Sequence, residues 1–362
     1  MVQRDHMPAF EVRTPQLVYA NVIERGAIRK LSQHLTANDG KRFVITTEDV
    51  WHLHGATLQQ HFNSSLEVLL FPGGEVNKRL NAVEALADQM IERGADRTSI
   101  VIGFGGGIVT DVSGFVAAIF MRGIPVIQVP TTLLAQVDAA TGGKTGVNLA
   151  SGKNLIGSFH HPRVVLIDPD VLATLPEREY RAGLFEVIKC GVIRDAALFS
   201  LLESEADAIL AKQSQIVDQM IASAVRIKTE VVSADERESD LRRILNFGHS
   251  IGHAIEAETR YERFLHGEAV AWGMLAATRL AVILGTLDQF AAERIEKTIC
   301  RYGPLLSAKD LDPDHLIARL VTDKKTLQGK VHFVLPTAVG SVTVKSGISE
   351  DATRRAIIEA LQ

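Results

Sequence analysis

The sequence predicts an α/β domain followed by a helical one, and the prediction rests on a change of hydrophobic pattern near the middle of the chain. From Leu17 to Asp168, short β-branched runs alternate with helix-length amphipathic stretches, as in a mostly parallel sheet with crossover helices. After Thr174-Leu175-Pro176 the strand-like runs give way to long segments rich in Ala, Leu and Glu, which favour helix. The boundary falls at Leu175, giving domains 1–175 and 176–362.

Within the first domain the candidate strands are Phe43–Thr46, Glu67–Phe71, Ser99–Gly103, Pro125–Val129 and Val164–Asp168. Several are bounded by Gly or Pro, at Pro72–Gly74, Gly105–Gly107, Pro130 and Pro162. Predicted helices of the second domain cover Glu177–Glu203, Glu205–Val232, Asn246–Glu258, Gly267–Leu284 and Asp288–Tyr302, with room for a short strand pair at Val331–Leu335 and Ser341–Lys345.

Composition narrows the class. At 46% hydrophobic and 23% charged residues the chain is that of a globular protein, and a net charge of −4 leaves no electrostatic footprint for nucleic acid. The charged, Pro-interrupted start, Met1–Phe10, lacks the apolar core of a secretory signal. The most apolar window, Val101–Phe120, contains Asp111 and is followed by Arg122, so no membrane span is expected. Cys190 and Cys300 make no disulfide framework and no CxxC pair, and a reducing cytoplasm is the simplest compartment.

Three stretches carry chemistry. Ile100–Gly107 followed by an amphipathic run with Asp111 reads as strand, glycine turn and helix N-terminus, where free N–H groups and the helix dipole bind phosphate. Its spacing departs from a dinucleotide fingerprint: counted from Gly103 the third glycine position is Ile108, and from Gly105 it is Thr110. Nucleotide binding and a tight structural turn both remain open on this stretch alone. Gly142-Gly143-Lys144-Thr145 resembles the end of a phosphate-binding loop but has Asp138 where that motif needs its first glycine, so the P-loop reading fails. Lys144, Lys153 and Asn154 then sit in a glycine-rich loop suited to an anionic ligand or simply to solvent.

The third stretch is Asn246–His253, which sets His249 and His253 at i and i+4 on one helix face without the Glu of an HExxH motif. His266 opens the next helix. Glu186 lies inside an apolar helical stretch, where a bare carboxylate is costly. Either an ion pair to Lys189 at i+3 or a metal ion satisfies it.

Taken in order, GGGIVTD (Gly105–Asp111), RGIPVIQVPTTLLAQVDAATGGKTGVN (Arg122–Asn148), GKNLIG (Gly152–Gly157), TLPERE (Thr174–Glu179), EVIK (Glu186–Lys189), DERE (Asp235–Glu238), LNFGHSIGHAIEA (Leu245–Ala257), HGEAVAWGM (His266–Met274) and DKK (Asp323–Lys325) resemble the 3-dehydroquinate synthase family of sugar phosphate cyclases. The match spans most of the chain, and the motifs are specific together though not singly. The resemblance implies a Rossmann-like NAD-binding N-terminal domain and a C-terminal domain that binds zinc or cobalt. It also implies conversion of 3-deoxy-arabino-heptulosonate 7-phosphate to 3-dehydroquinate and phosphate in the shikimate pathway, by a homodimer.

Carried over motif by motif, the resemblance assigns the metal to Glu186, His249 and His266 and makes His253 a proton carrier, against the two-histidine chelate. Glu238, Lys189 and Lys144 join His253 as catalytic groups. Arg122, Asp138, Lys144, Asn154, Lys189, Lys228, Arg242, Asn246 and Lys325 become substrate-binding. Gly74, Glu75, Lys78, Gly106, Gly107, Ile108, Asp111, Thr131, Thr132, Lys153, Val171, Leu172 and Thr174 match NAD-contacting positions. Departures are local: Thr46-Thr47-Glu48-Asp49 replaces a TDTN-like stretch, Gly73 an Asp, and Phe185 an Ala. Neighbouring readings are the aminodehydroquinate, 2-deoxy-scyllo-inosose and epi-valiolone synthases, a glycerol-dehydrogenase-like enzyme, or a nucleotide-binding regulator. Lys228, Arg242 and Asn246 favour a carboxylate-bearing substrate.

Overall fold

The computed structural model describes residues 9–62, 66–322 and 331–362, so Lys325 lies outside the described residues. The chain divides into two compact units: residues 1–176 with 228–233, and residues 177–227 with 234–362. None of the described helices is long and apolar enough to cross a membrane.

The first unit runs β1 (Ala9–Arg13), β2 (Val18–Ile23), β3 (Arg42–Thr46), α1 (Glu48–Gln59), β4 (Glu67–Leu70), α2 (Leu80–Glu92), β5 (Ile100–Gly105), α3 (Gly107–Ile119), β6 (Val126–Pro130), β7 (Lys144–Leu149), β8 (Gly152–Phe159) and β9 (Val164–Ile167). The main sheet has the order β1-β2-β9-β6-β5-β3-β4, parallel except for the β1–β2 pair. Every residue of β5 is buried, because a parallel sheet is covered on both faces. Val101 packs on one side with Val112, Phe115 and Val116 of α3. Ile100 and Ile102 pack on the other with Val44, Ile127 and Leu166, as the two-residue period of a strand requires.

The strand order reverses between β3 and β5. In doubly wound sheets ligands bind beyond the carboxyl ends of strands at such a switch point. The turns carrying the expected cofactor residues follow the carboxyl ends of β4, β5, β6 and β9.

Two features differ from the sequence reading. The glycine-rich stretch expected as a flexible loop is an antiparallel hairpin, with Lys144 paired to Phe159 and Val147 to Ile156. Ladder hydrogen bonds and the buried Val147 outweigh the weak strand propensity of its glycines. The antiparallel edge, β1 and β2, extends the sheet upstream of the predicted strands. Fully buried Asn21 of β2 accepts from Thr141 Oγ1 (2.9 Å) and donates to Thr229 Oγ1 (2.9 Å), which ties residues 228–233 into this unit.

The second unit runs α4 (Glu177–Arg194), α5 (Ala196–Ser204), α6 (Ala206–Leu210), α7 (Ser214–Ala234, apart from its residues 228–233), α8 (His249–Glu258), α9 (His266–Ile283), α10 (Gln289–Arg301), α11 (Pro313–Thr322), β10 (His332–Ala338), β11 (Ser341–Ser346) and α12 (Glu350–Leu361). Helix α9 is its centre, in contact with α4, α8, α10 and α12, and is buried around most of its circumference. The helix expected over Glu177–Glu203 breaks at Asp195, whose carboxylate accepts from the N–H of Ala197 (3.0 Å) and Leu198 (2.9 Å) and starts a new helix. The segment Glu205–Val232 is likewise two helices. The expected strand pair is present as β10–β11.

Candidate active site

Glu186 lies on the third turn of α4, and His249 and His266 are the first residues of α8 and α9. His249 does not follow from a helix running on from Asn246, as the sequence suggested. Gly248 caps α8 at φ +77°, a left-handed conformation open to glycine at no steric cost. Helix α9 reaches α4 because residue 267 is glycine: a Cβ there would stand 1.9 Å from the Ala182 carbonyl oxygen. That contact sets His266 beside Glu186. Arg178 of α4 fixes the same junction with two parallel bonds to Glu268 (2.7 and 2.8 Å), and Glu268 Oε2 accepts from the N–H of Leu265 (2.9 Å).

Glu186 Oε1 stands 3.6 Å from His249 Nε2 and 3.6 Å from His266 Nε2. Ligands held tetrahedrally at about 2.1 Å are about 3.4 Å apart, so both carboxylate–imidazole spacings fit a zinc-type ion, and the three donors lie within 4.8 Å of one another. Each imidazole is oriented from its other nitrogen. His249 Nδ1 is 3.0 Å from the Phe247 carbonyl and His266 Nδ1 is 3.3 Å from Glu256, the outer-shell pattern of metal-ligating histidines. Burial counts against a charged His266, but the Glu256 and Glu186 carboxylates raise its pKa to about 9, so an entering ion displaces a proton. Lys189, one turn after Glu186 and equally buried, is ion-paired to it, as the first of the two readings of Glu186 expected.

His253 lies one turn after His249, with ring centroids 5.6 Å apart, and 5.9 Å from the His266 ring. The Glu186–His249–His266 group does not include it. The loop between α7 and α8 carries Glu238, Arg242 and Asn246. Asp235 organises it, accepting from the N–H groups of Ser239 (2.9 Å), Asp240 (2.7 Å) and Arg242 (3.0 Å) and from the Ser239 hydroxyl (3.0 Å). Burial pushes the Asp235 carboxyl up, yet these donors outweigh it and hold it well below the usual carboxylate range. Asn246 donates to Glu238 (2.5 Å), a residue at φ +61°, and the buried Arg242 donates from Nη1 to the Glu236 carbonyl (2.5 Å).

In the first unit, Lys78 Nζ is ion-paired to Asp111 and donates to Asn154 Oδ1 (2.6 Å). Residues expected on the cofactor and substrate sides therefore meet in one cluster. Glu75 accepts from Asn148 Nδ2 (2.8 Å) and lies 3.6 Å from Lys153. Asn148, whose Oδ1 accepts from the N–H of Asn154 (2.9 Å), was not singled out in the sequence, where an Asn in a presumed loop carries no signal. Lys228 Nζ bonds Asp138 at 2.7 Å. Gly106 caps α3 without a side-chain bond, leaving its first N–H groups for an anion. The buried Thr131 hydroxyl has no partner among the described residues, which suits a cofactor donor or acceptor there. Val171 and Leu172 are buried, and Thr174 bonds His54 (2.8 Å). Lys144 and Arg122 are exposed, Arg122 in a turn where it and Met121 both have positive φ.

Residues 68–182 match the model of the 3-dehydroquinate synthase N-terminal domain and residues 183–326 that of the C-terminal domain. The chain belongs to the 3-dehydroquinate synthase family. A 3-dehydroquinate synthase of Solibacter usitatus (strain Ellin6076) is 58% identical, over 98% of this chain and all of its own. Among solved structures, this family member resembles 2-epi-5-epi-valiolone synthase from Streptomyces hygroscopicus subsp. jinggangensis 5008 with NAD+ and Zn2+ bound (28% identity, TM-score 0.89, 96% of this chain and 98% of that one). It also resembles 2-deoxy-scyllo-inosose synthase complexed with carbaglucose-6-phosphate, NAD+ and Co2+ (26% identity, TM-score 0.86, 97% and 99%). Its fold is that of the NAD-dependent sugar phosphate cyclases.

Proposed function

We propose that this family member converts 3-deoxy-arabino-heptulosonate 7-phosphate to 3-dehydroquinate and phosphate, as an NAD- and divalent-metal-dependent carbon–oxygen lyase of the shikimate pathway. The observation that carries the reading is the Glu186–His249–His266 donor group, spaced for one tetrahedral ion, in a chain that matches 3-dehydroquinate synthase along its length. NAD, when bound, would supply a reversible hydride acceptor for the C5 hydroxyl carbon, and zinc or cobalt held by Glu186, His249 and His266 would acidify that hydroxyl.

The chain's own residues do the rest. His253 and Glu238 move protons during oxidation, phosphate elimination and the closing aldol step, His253 from a position beside the metal group. Lys189 is held by Glu186 as a compact positive charge next to the reacting hydroxyl. Arg242, Lys228 and Asn246 receive the carboxylate, and Lys144, Arg122, Lys325, Asn154 and Asp138 the remaining phosphate and hydroxyl groups. Bond donors already aimed by the protein, such as Lys228 on Asp138, need little reorganisation when substrate arrives. Gly74, Glu75, Lys78, Gly106, Gly107, Ile108, Asp111, Thr131, Thr132, Lys153, Val171, Leu172 and Thr174 would hold NAD, with the N–H groups that open α3 suited to its pyrophosphate. We further infer a cytoplasmic homodimer, a state that sedimentation of the purified protein measures directly.

The test is turnover. Metal-loaded protein with the heptulosonate phosphate and a catalytic amount of NAD should release phosphate and form dehydroquinate in equal amounts. A protein shown to hold metal and NAD that releases no phosphate sinks the proposal. Net NADH production from a simple alcohol would favour a dehydrogenase instead.

A further inference from the structure

Glu256, the acceptor beside His266 Nδ1, was given no role by the sequence, yet it is the second carboxylate buried beside the histidines. It lies one turn after His253 on α8, 2% exposed, with Oε2 3.3 Å from Nδ1 of His266. The opposite nitrogen of that ring, Nε2, stands 3.6 Å from Glu186 Oε1. A carboxylate oxygen of Glu256 and ring nitrogens of His253 and His266 lie within 4.8 Å of one another. Burying a carboxylate at this depth costs several kcal/mol unless a donor compensates it, and the side chain does not cap its helix, since α8 ends with backbone bonds. The backbone carbonyl of Phe247 orients His249, a service no substitution at a side chain removes. For His266 the corresponding acceptor is a side chain.

We propose that Glu256 is a positioning residue of the metal centre. It accepts the Nδ1–H of His266, which fixes the tautomer whose Nε2 lone pair points at Glu186 and His249, and its charge raises the donor strength of that nitrogen. Through its closeness to His253 it also anchors the proton-carrying imidazole to the same point. The inference rests on Glu186, His249 and His266 binding the ion. The same side chains admit a rival, a second cation held by His253, Glu256 and His266, which stoichiometry separates.

The experiment uses the full chain stripped of metal and titrated with Co2+ against a competing chelator, reading affinity, stoichiometry and the visible Co2+ spectrum. Glu256→Gln keeps the shape and an oxygen acceptor without the charge; Glu256→Leu removes both. Wild type should bind one Co2+ per chain. Glu256→Leu should bind it about 10- to 100-fold more weakly with a changed spectrum, and Glu256→Gln should show a smaller loss in the same direction. Wild-type affinity and spectrum in both variants overturn the proposal, as does a second wild-type Co2+ that vanishes in either variant. If Glu256→Leu fails to fold, Glu256→Gln decides alone, and wild-type behaviour overturns it. His249→Ala is the control for the underlying site: Co2+ binding undiminished in that variant sinks the metal assignment itself, whatever Glu256 does.

Discussion

At the scale of single residues, two histidines a helical turn apart carry different expectations. His249→Ala should lose the metal, whereas His253→Ala should keep it and lose turnover by about 10²- to 10⁴-fold, the usual worth of a general acid–base group. Metal analysis beside steady-state rates checks this, and loss of metal in both variants would restore the two-histidine chelate. The Glu186–Lys189 pair makes a second prediction. Removing one partner of a buried pair strands the other, at about 3–5 kcal/mol. Lys189→Met should therefore destabilise the metal-free protein strongly and the zinc-loaded protein much less, because the ion then compensates Glu186. Equal losses in thermal melts with and without zinc would count against metal at this carboxylate. Both histidines were legible as a local pattern. Glu256 was not, since a Glu one turn from a His on a helix looks like any solvated pair until burial is known.

Among the elements, the approach of α9 to α4 decides whether Glu186 and His266 meet. Gly267→Ala puts a methyl group 1.9 Å from the Ala182 carbonyl oxygen, and the helices must separate. A loss of about 1–3 kcal/mol is expected, with weaker Co2+ binding; unchanged affinity would mean that the ligands tolerate the shift. The α7–α8 loop offers a pH test. The folded pKa of Asp235 is depressed, so its contribution is complete above the unfolded value of about 3.9 and is lost as the pH falls through the folded value. Asp235→Asn should cost about 1–3 kcal/mol near neutrality, and the gap from wild type should close as the pH drops below about 4. A gap that stays constant down to strongly acid pH would show that the hydrogen bonds and not the charge matter. Helix breaks illustrate what periodicity misses. Asp195 starts a helix inside a stretch that is apolar and helix-prone on both sides, and one capping side chain outweighs the summed propensity.

For the whole molecule, a metal held by Glu186, His249 and His266 would be a ligand of the folded state, so its removal should lower stability by mass action. At a free zinc concentration 1,000 times the dissociation constant the difference is about 4 kcal/mol, and calorimetry before and after chelation measures it; an unmoved transition would argue against a resident ion. The order of α/β and helical parts, five strands of the parallel sheet and the three members of the Glu186–His249–His266 group were legible in the sequence, whereas Asn148 and Glu256 were not. Alternation, helical spacing and short motifs are local, and they survive in one dimension. Not legible were the outer strands β1 and β2, the hairpin in place of a loop, and the capture of residues 228–233 by Asn21, which sets Lys228 on Asp138. The capture depends on a partner far along the chain, since Asn21 and Thr229 are 208 positions apart, and the hairpin depends on ladder bonds that its glycines do not announce. The sequence by itself determined which chemical groups are present and the helices and strands that bear them. Only the tertiary structure decided which of them meet, because the close approach of α4 to α9 and the burial of Glu186, Lys189 and Glu256 come from packing, not from order along the chain.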